Sequence, residues 1–154
     1  MIRFQGIDEP ALAALARALA GRVRAGGVVY LIGPLGAGKT TFARALLHAL
    51  GVGTRVKSPT YTLIESYAAG DLTAHHLDLY RIAASEEIEW LGLRDLASGA
   101  QLWLIEWPER AYGVLPAPDL KVELAHATSG RDVTLSAVTP TGGSWVDNLD
   151  LLSV

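Results

Sequence analysis

The glycine-rich segment Gly33–Thr40, GPLGAGKT, constrains the fold of this 154-residue chain more than any other feature. It matches the pattern G-x-x-x-x-G-K-[ST] without a gap. The run before it, Val28–Ile32, is apolar and rich in β-branched residues, which is typical of a buried parallel strand. The run after it, Thr40–Leu50, repeats its apolar residues at helical spacing and is followed by Gly51. The sequence therefore predicts a buried strand, a tight glycine loop and a helix in direct succession.

This loop has the residues needed to bind phosphate groups. Glycines permit backbone conformations in which successive N–H groups converge on phosphate oxygens, and the N-terminus of the following helix adds positive potential. Lys39 would place a cation on the β- and γ-phosphates, and the Thr40 hydroxyl would ligate Mg²⁺. The guanine-reading sequence N-K-x-D is absent, so ATP is the expected nucleotide. The alternative interpretation is a plain glycine turn between a strand and a helix.

Two carboxylates are candidates for the metal side of such a site. Glu106 ends the apolar run Leu102–Ile105, where a P-loop enzyme needs an acid to hold Mg²⁺ or orient water. Asp78 lies in an alternating strand and could act in the same way, or could simply pair with Arg81. Glu106 could also face solvent at the end of its strand. Which carboxylate is the main one stays open at this point.

Composition excludes several other kinds of site. There are no cysteines, so disulfides, thiolate metal sites and cysteine nucleophiles are ruled out. The adjacent His75 and His76 would point to opposite faces of a strand and cannot jointly hold a metal, so a surface or hydrogen-bonded role is expected for each. The formal net charge is −3, whereas nucleic-acid binders usually carry a basic excess, so any RNA would be held mainly by another molecule.

The chain is expected to form one domain over residues 1–154, with a core of about 8–138 and a tail of 139–154 that the sequence does not assign. The first ten residues lack an apolar signal core, and no apolar run approaches the roughly 20 residues that span a membrane, so we expect a soluble cytoplasmic protein. Together the elements predict an α/β, P-loop NTPase-like three-layer sandwich with a mixed parallel and antiparallel sheet. Besides those named above, the expected elements are a helix over Ala11–Arg22 capped by Asp8, strands over Tyr61–Tyr67, Leu72–Leu79, Leu120–Ala125 and Asp132–Val138, and a helix over Glu86–Leu91 capped by Ser85.

The order and spacing of several short segments resemble the bacterial TsaE family, the ATPases of tRNA threonylcarbamoyladenosine synthesis. The resemblance runs from about Asp8 to Ala137. Each segment is weak alone, but their arrangement around the glycine loop makes the match specific. The segments are Gly33–Thr41 (GPLGAGKTT), Lys57–Leu63 (KSPTYTL), His76–Arg81 (HLDLYR), Glu86–Gly92 (EEIEWLG) and Glu106–Glu109 (EWPE).

The resemblance implies more than the residues alone indicate. Members of the family bind ATP with Mg²⁺ and work with two partner proteins, TsaB and TsaD. TsaD carries the transfer of a threonylcarbamoyl group to an adenosine of tRNA next to the anticodon, so tRNA would be met only through the partner complex. Hydrolysis is thought to reset that complex between cycles, and it is slow without partners.

Site residues carried over from the resemblance surround the expected nucleotide. Thr40 and Glu106 would ligate Mg²⁺, and Asp78 would be catalytic or would position water. Trp107 would lie beside the nucleotide, although a core tryptophan is the alternative interpretation. Arg131 and Glu9 would reach the nucleotide from the edges of the pocket, although Arg131 could equally be a plain hairpin-tip arginine. The remaining expected contacts are Gly33, Gly36, Ala37, Gly38, Lys39 and Thr41 for the phosphates, Ser58 and Thr60 in a mobile loop near the γ-phosphate, and Pro108 and Glu109 beside Trp107.

Two other classes of function compete with this interpretation. A small-molecule or nucleoside kinase would add an acceptor pocket and often an arginine-rich lid, and no such insertion is evident in the sequence. A nucleotide sensor that only docks on a partner would not need Lys39, Asp78 and Glu106 together.

Overall fold

The structure, a computed structural model, describes residues 1–53, 63–82 and 100–150. These ranges contain seven strands, three α-helices and one 3₁₀ turn at Pro108–Arg110. The strands are β1 Ile2–Ile7, β2 Gly27–Ile32, β3 Ile64–Ala69, β4 Leu72–Asp78, β5 Ala100–Glu106, β6 Leu120–His126 and β7 Arg131–Ala137, and the helices are α1 Glu9–Ala20, α2 Lys39–Ala49 and α3 Pro140–Val146.

The seven described strands form one sheet in the order β1-β7-β6-β2-β5-β4-β3. At its centre β2 runs parallel to both β5 and β6, and β4 runs parallel to β5. The flanking pairs β1–β7, β6–β7 and β3–β4 are antiparallel. The predicted mixed sheet is therefore confirmed, with the parallel strands in the middle and hairpins at the sides.

Strand β2 is buried on both faces, which explains its continuous apolar run. Val29 and Leu31 pack in the larger core cluster with residues of α1 and α2, whereas Val28 and Tyr30 pack in a second cluster on the opposite face. Side chains alternate along a strand, so the two clusters must lie on opposite sides of the sheet. The sheet is thus covered on both faces, as expected for the α/β sandwich.

Helix α1 begins where its predicted cap places it. The Asp8 carboxylate accepts the backbone N–H of Ala11 at 2.9 Å, and Pro10 occupies the first turn. Helix α2 begins directly after the glycine loop, at Lys39, and Gly51 beyond its end adopts a φ of +97°. Both helices are confirmed, with boundaries within a few residues of those predicted.

Some predictions for the chain are wrong or lie outside the described residues. The strand expected to start at Tyr61 begins at Ile64, because Leu63 has a φ of +64°, which a strand cannot accommodate. The strand β1 and the helix α3 were not predicted. The helix expected over Glu86–Leu91, with its cap Ser85, lies outside the residues that the structure describes, as do Ser58 and Thr60.

Candidate functional site

The candidate site lies at the edge of the sheet where the parallel strands end. Strand β2 leads into the glycine loop, and the register places Asp78 of β4 opposite Glu106 of β5 and Leu31 of β2 opposite Glu106. The loop, the two predicted carboxylates and the start of α2 therefore share one edge, the usual position of ligands in open α/β sheets. A pocket of about 410 Å³ opens there, lined by Glu9, Leu35, Gly36, Gly38, Lys39, Thr40, Thr41, Asp78, Tyr80, Arg81, Glu106, Trp107 and Arg131.

The glycines of the loop are required by its backbone and its neighbours. Gly38 precedes α2 with a φ of +110°, and a Cβ there would collide with a guanidinium nitrogen of Arg131. A Cβ at Gly33 would collide with the carbonyl oxygen of Leu124 in β6. Arg131 also donates to the carbonyl oxygen of Ala37 at 3.4 Å. The loop is therefore tightly packed at Gly33 and Gly38, whereas its tip is exposed and a Cβ at Gly36 would come no closer than 3.8 Å to His126.

Lys39 is held inside the loop. Its Nζ donates to the carbonyl oxygens of Gly33 at 2.5 Å and Pro34 at 2.8 Å, and it lies 4.4 Å from the ring centre of Trp107. The side chain is 5% exposed, and this burial lowers the pKa of the ammonium group, while the nearby Glu106, Asp78 and Glu109 act in the opposite direction. The cation is thus preorganised among acceptors at the centre of the pocket.

Glu106 joins the loop to the neighbouring strands. The hydroxyl oxygen of Thr40 lies 2.9 Å from Oε1 and 3.1 Å from Oε2 of Glu106. On its other side, Oε2 lies 2.5 Å from Nε2 of His76, which is completely buried. The alternative that Glu106 simply faces solvent is excluded, since the residue is 2% exposed.

Asp78 stands beside Glu106 at the end of β4 and is half-buried. Its Oδ1 accepts the backbone N–H of Tyr80 at 3.1 Å. Burial raises the pKa of the Asp78 carboxyl; the backbone N–H of Tyr80 acts against that rise, Glu106 adds to it, and His76 and Lys39 also act against it. The site therefore contains two neighbouring carboxylates in different environments, one enclosed by hydrogen bonds and one facing the pocket.

Two aromatic rings form one wall of the pocket. Tyr80 and Trp107 have ring centres 4.9 Å apart, and the guanidinium of Arg110 lies 5.6 Å from the Tyr80 ring. Trp107 adopts a φ of +58°, an uncommon conformation for a bulky residue that often marks functional sites. Since the Nζ of Lys39 lies 4.4 Å from the centre of the Trp107 ring, each of the two tilted rings has a cation close to it.

The two adjacent histidines point to opposite faces of β4, as predicted. His75 is hydrogen bonded through both ring nitrogens, to Ser66 at 2.7 Å and Gln101 at 2.5 Å, and its ring packs at a tilt against Trp103. His76 contacts Glu106 instead. Both side chains are buried, so the hydrogen-bonded role is the one the structure shows.

Most of the predicted site residues come together in the pocket, and some do not. Pro108 is buried beneath it and Glu109 is exposed outside its lining, while Gly33 and Ala37 contribute backbone contacts to Lys39 and Arg131. Three lining residues were not predicted: Leu35, Tyr80 and Arg81. Tyr80 and Arg81 could have been found, because they follow Asp78 in the segment HLDLYR.

The residues present fit a magnesium site. The Thr40 hydroxyl and the Glu106 carboxylate are hard oxygen donors, which Mg²⁺ prefers, and they already lie within hydrogen-bond distance of each other. No group of three or more acidic or histidine ligands occurs among residues 1–53, 63–82 and 100–150. That agrees with Mg²⁺ chemistry, in which one or two protein oxygens are completed by phosphates and water.

A buried parallel strand, a glycine loop packed against a helix and a strand-end carboxylate beside that helix define an α/β protein of the P-loop class. Comparison with known proteins gives the particular family. The family model described as "Threonylcarbamoyl adenosine biosynthesis protein TsaE" matches residues 7–133. The chain belongs to the TsaE family.

Curated relatives and a solved structure agree with this assignment. A Haemophilus influenzae protein named tRNA threonylcarbamoyladenosine biosynthesis protein TsaE is 44% identical over 115 residues, covering 75% of this chain and 73% of its own. The Bacillus subtilis protein of the same name is 34% identical over 138 residues, covering 89% and 86%. The crystal structure of Bacillus subtilis YdiB has a TM-score of 0.76 at 27% identity and covers 99% of this chain and 94% of its own. No helix in the described ranges is long and apolar enough to cross a membrane.

Proposed function

We propose that this chain is the ATPase of tRNA threonylcarbamoyladenosine synthesis, which binds Mg²⁺–ATP in the pocket and hydrolyses it to reset a TsaB–TsaD complex. The observation that carries the proposal is the contact between Thr40 at the start of α2 and Glu106 at the end of β5. It brings together the hydroxyl and the carboxylate that a P-loop enzyme uses on the metal side of its nucleotide. This pair supports the proposed reaction class, and the comparisons show the family.

The glycine loop and Lys39 would bind the phosphates. The Nζ of Lys39 occupies the centre of the loop by donating to the carbonyl oxygens of Gly33 and Pro34. Phosphate oxygens are stronger acceptors for an ammonium group than neutral carbonyls, so ATP would draw Lys39 from these contacts to its β- and γ-phosphates. Gly36 at the open tip would let the backbone approach the phosphates closely.

Thr40 and Glu106 would hold Mg²⁺, which would neutralise charge developing on the phosphates. Asp78, facing the same pocket, would orient the attacking water. Trp107 and Tyr80 would form the wall against which the nucleotide lies, with Arg131 and Glu9 at its margins. None of the described residues that line the pocket is a histidine, so the water would be oriented by a carboxylate and not by an imidazole, in keeping with the slow turnover proposed without partners.

The tRNA substrate would be bound by the partners. The formal net charge of −3 does not favour direct binding to a phosphate backbone. The group transfer would take place on TsaD, and this chain would supply the energy of ATP hydrolysis to return the partner complex to its starting state. The proposal keeps the chain in the cytoplasm, as the sequence predicts.

The test is phosphate release from Mg²⁺–ATP by the wild type and by Lys39→Ala, alone and with TsaB and TsaD added. Slow release that rises with the partners and is lost in the variant supports the proposal. Lys121→Ala is the matched control, because Lys121 is a lysine of β6 that does not line the pocket. Transfer of phosphate to a small acceptor without partners would indicate a kinase. Nucleotide binding with no release, even with both partners, would indicate a sensor.

A further inference from the structure

His76 is a completely buried histidine that the proposed mechanism does not use. Its Nε2 lies 2.5 Å from Oε2 of Glu106, a residue 30 positions later in the sequence. Its Nδ1 is buried without a hydrogen-bond partner among the described residues. Buried polar side chains are normally satisfied, so a histidine with one ring nitrogen unpaired and the other on a site carboxylate calls for an explanation.

The position of His76 in β4 explains why it meets Glu106. His76 and Asp78 are two residues apart, so they lie on the same face of β4. Asp78 ends the strand at the pocket, and His76 lies two residues back along it. The register sets His76 opposite Leu104 and Asp78 opposite Glu106 in β5. His76 therefore reaches Glu106 diagonally from behind, out of contact with the pocket, whose lining does not include it.

The contact distinguishes the two oxygens of Glu106. Oε2 lies 2.5 Å from Nε2 of His76. The Thr40 hydroxyl lies closer to Oε1, at 2.9 Å, than to Oε2, at 3.1 Å. With an ionised Glu106 the ring nitrogen Nε2 is the donor of this short contact, and a neutral ring then leaves Nδ1 as an unpaired acceptor. The carboxylate plane is thereby fixed, with Oε1 presented beside the Thr40 hydroxyl.

We propose that His76 is a positioning residue that fixes the Glu106 carboxylate so that Oε1 and the Thr40 hydroxyl form a ready-made pair of oxygen ligands for Mg²⁺. The inference rests on the proposed function, because it assigns Glu106 to the metal. Hydrogen-bond partners behind a ligating side chain typically change metal affinity by about 10- to 100-fold when they are removed. The effect acts through Glu106 and should be absent when only the nucleotide is bound.

The test measures binding of ADP by calorimetry in EDTA and at increasing Mg²⁺, for the wild type, His76→Ala and His76→Gln. We expect His76→Ala to raise the Mg²⁺ concentration that half-saturates the ADP complex by about 10-fold or more, with ADP affinity in EDTA changed by less than about 2-fold. His76→Gln can still donate from a similar position and should recover part of the loss. If thermal unfolding shows that His76→Ala does not fold, His76→Gln is the variant on which the Mg²⁺ dependence is measured.

The neighbouring histidine provides the matched control. His75 is equally buried in the same strand but bonds to Ser66 and Gln101 on the other face, so His75→Ala should leave the Mg²⁺ dependence unchanged. In a Glu106→Gln background, His76→Ala should have no further effect on Mg²⁺. Unchanged Mg²⁺ dependence in both His76 variants, or an equal loss in His75→Ala, would overturn the inference. If wild-type ADP binding does not respond to Mg²⁺ at all, the metal assignment in the proposed function fails instead.

Discussion

The hydroxyl oxygen of Thr40 lies 2.9 Å from Oε1 of Glu106, joining the first turn of α2 to the end of β5 across 66 positions of the sequence. The contact links a helix N-terminus, the glycine loop that precedes it and the central parallel strands. Because neither partner is more than partly exposed, the pair is held by the fold rather than by chance surface contact.

Removing the Thr40 hydroxyl should weaken Mg²⁺ binding at the proposed site and leave the glycine loop intact. Thr40→Ala deletes one proposed Mg²⁺ ligand and the hydrogen bond to Glu106, whereas Thr40→Ser keeps both. We expect phosphate release to fall by about 100-fold in Thr40→Ala, because transition-state charge loses its compensation, and by less than about 5-fold in Thr40→Ser. Initial rates at saturating Mg²⁺ measure both. Equal losses in the two variants would contradict a ligand role for the hydroxyl.

Gly38 should tolerate no side chain, unlike Gly21 at the end of α1. Gly38 has a φ of +110° and packs against Arg131, while Gly21 has a φ of −67° and open space around its Cα. We expect Gly38→Ala to abolish detectable ADP binding and to lower the free energy of unfolding by about 1–3 kcal/mol. Gly21→Ala should stabilise by about 0.4–1 kcal/mol. Urea unfolding and ADP calorimetry on both variants test this contrast.

The charge on Asp78 should lower the free energy of unfolding at neutral pH, because burial raises the pKa of its carboxyl above the ordinary value of 3.8. Between that value and the raised one, the folded state holds more protons than the unfolded state, so stability falls as the pH rises through this window. Asp78→Asn removes the charge and should raise Tm at pH 7 by about 2 °C while abolishing phosphate release.

The control for Asp78 is Glu123→Gln, which neutralises an exposed carboxylate of β6. Its Tm should change by less than about 1 °C. Thermal unfolding of each protein from pH 3 to pH 8 supplies the comparison. If Asp78→Asn is less stable than the wild type above the window, the carboxylate is satisfied in the fold and the burial argument is wrong.

Trp107 should report nucleotide binding by fluorescence. Its ring contacts Lys39 and Tyr80 in the wall of the pocket, so displacement of Lys39 towards phosphate changes its surroundings. Addition of ADP should change the emission of the wild type and of Trp103→Phe, because Trp103 does not line the pocket. Trp107→Phe should lose the signal and bind ADP within about 3-fold, since phenylalanine keeps a ring at this position. A signal that survives in Trp107→Phe would place the rearrangement elsewhere.

The centre of the fold could be predicted from the sequence because its patterns are local. Strands β2 and β5 are buried on both faces and read as continuous apolar runs, and Asp8 and Gly51 mark helix ends through short-range chemistry. Strand β1 was missed because it is a short edge strand whose pairing with β7 shifts register between Phe4 and Ile7. Helix α3, PTGGSWV, was missed because its two glycines disfavour a helix and outweigh the local signal of the Thr139 cap.

Site residues that belong to a sequence motif could be predicted, whereas contacts that depend on the register between strands could not. The loop from Gly33 to Thr40 and the strand-end Glu106 follow from residue type and spacing. The contact of His76 with Glu106 depends on how β4 lies against β5, which the order of residues does not reveal. Tyr80 is different, because its place two positions after Asp78 in the segment HLDLYR could have pointed to the pocket.

Asp119 ties α3 to β2, the strand that leads into the glycine loop. Its Oδ2 accepts the backbone N–H of Val28 at 2.8 Å, and its Oδ1 accepts the Thr139 hydroxyl at 2.6 Å. Thr139 in turn caps α3 through the N–H of Gly142. Asp119→Ala leaves these donors unpaired and should lower the free energy of unfolding by about 2–4 kcal/mol.

The effect of Asp119→Ala should be confined to stability, because Asp119 does not line the pocket. Asp119→Asn keeps an acceptor for Val28 and should lose only about 1 kcal/mol, which separates the hydrogen bonds from the loss of the charge. Urea unfolding gives the stabilities, and ADP affinity well below the unfolding transition should stay within about 2-fold of the wild type in both variants. A large loss of ADP affinity in folded Asp119→Ala would show instead that α3 sets the position of β2 and, through β2, the geometry of the glycine loop.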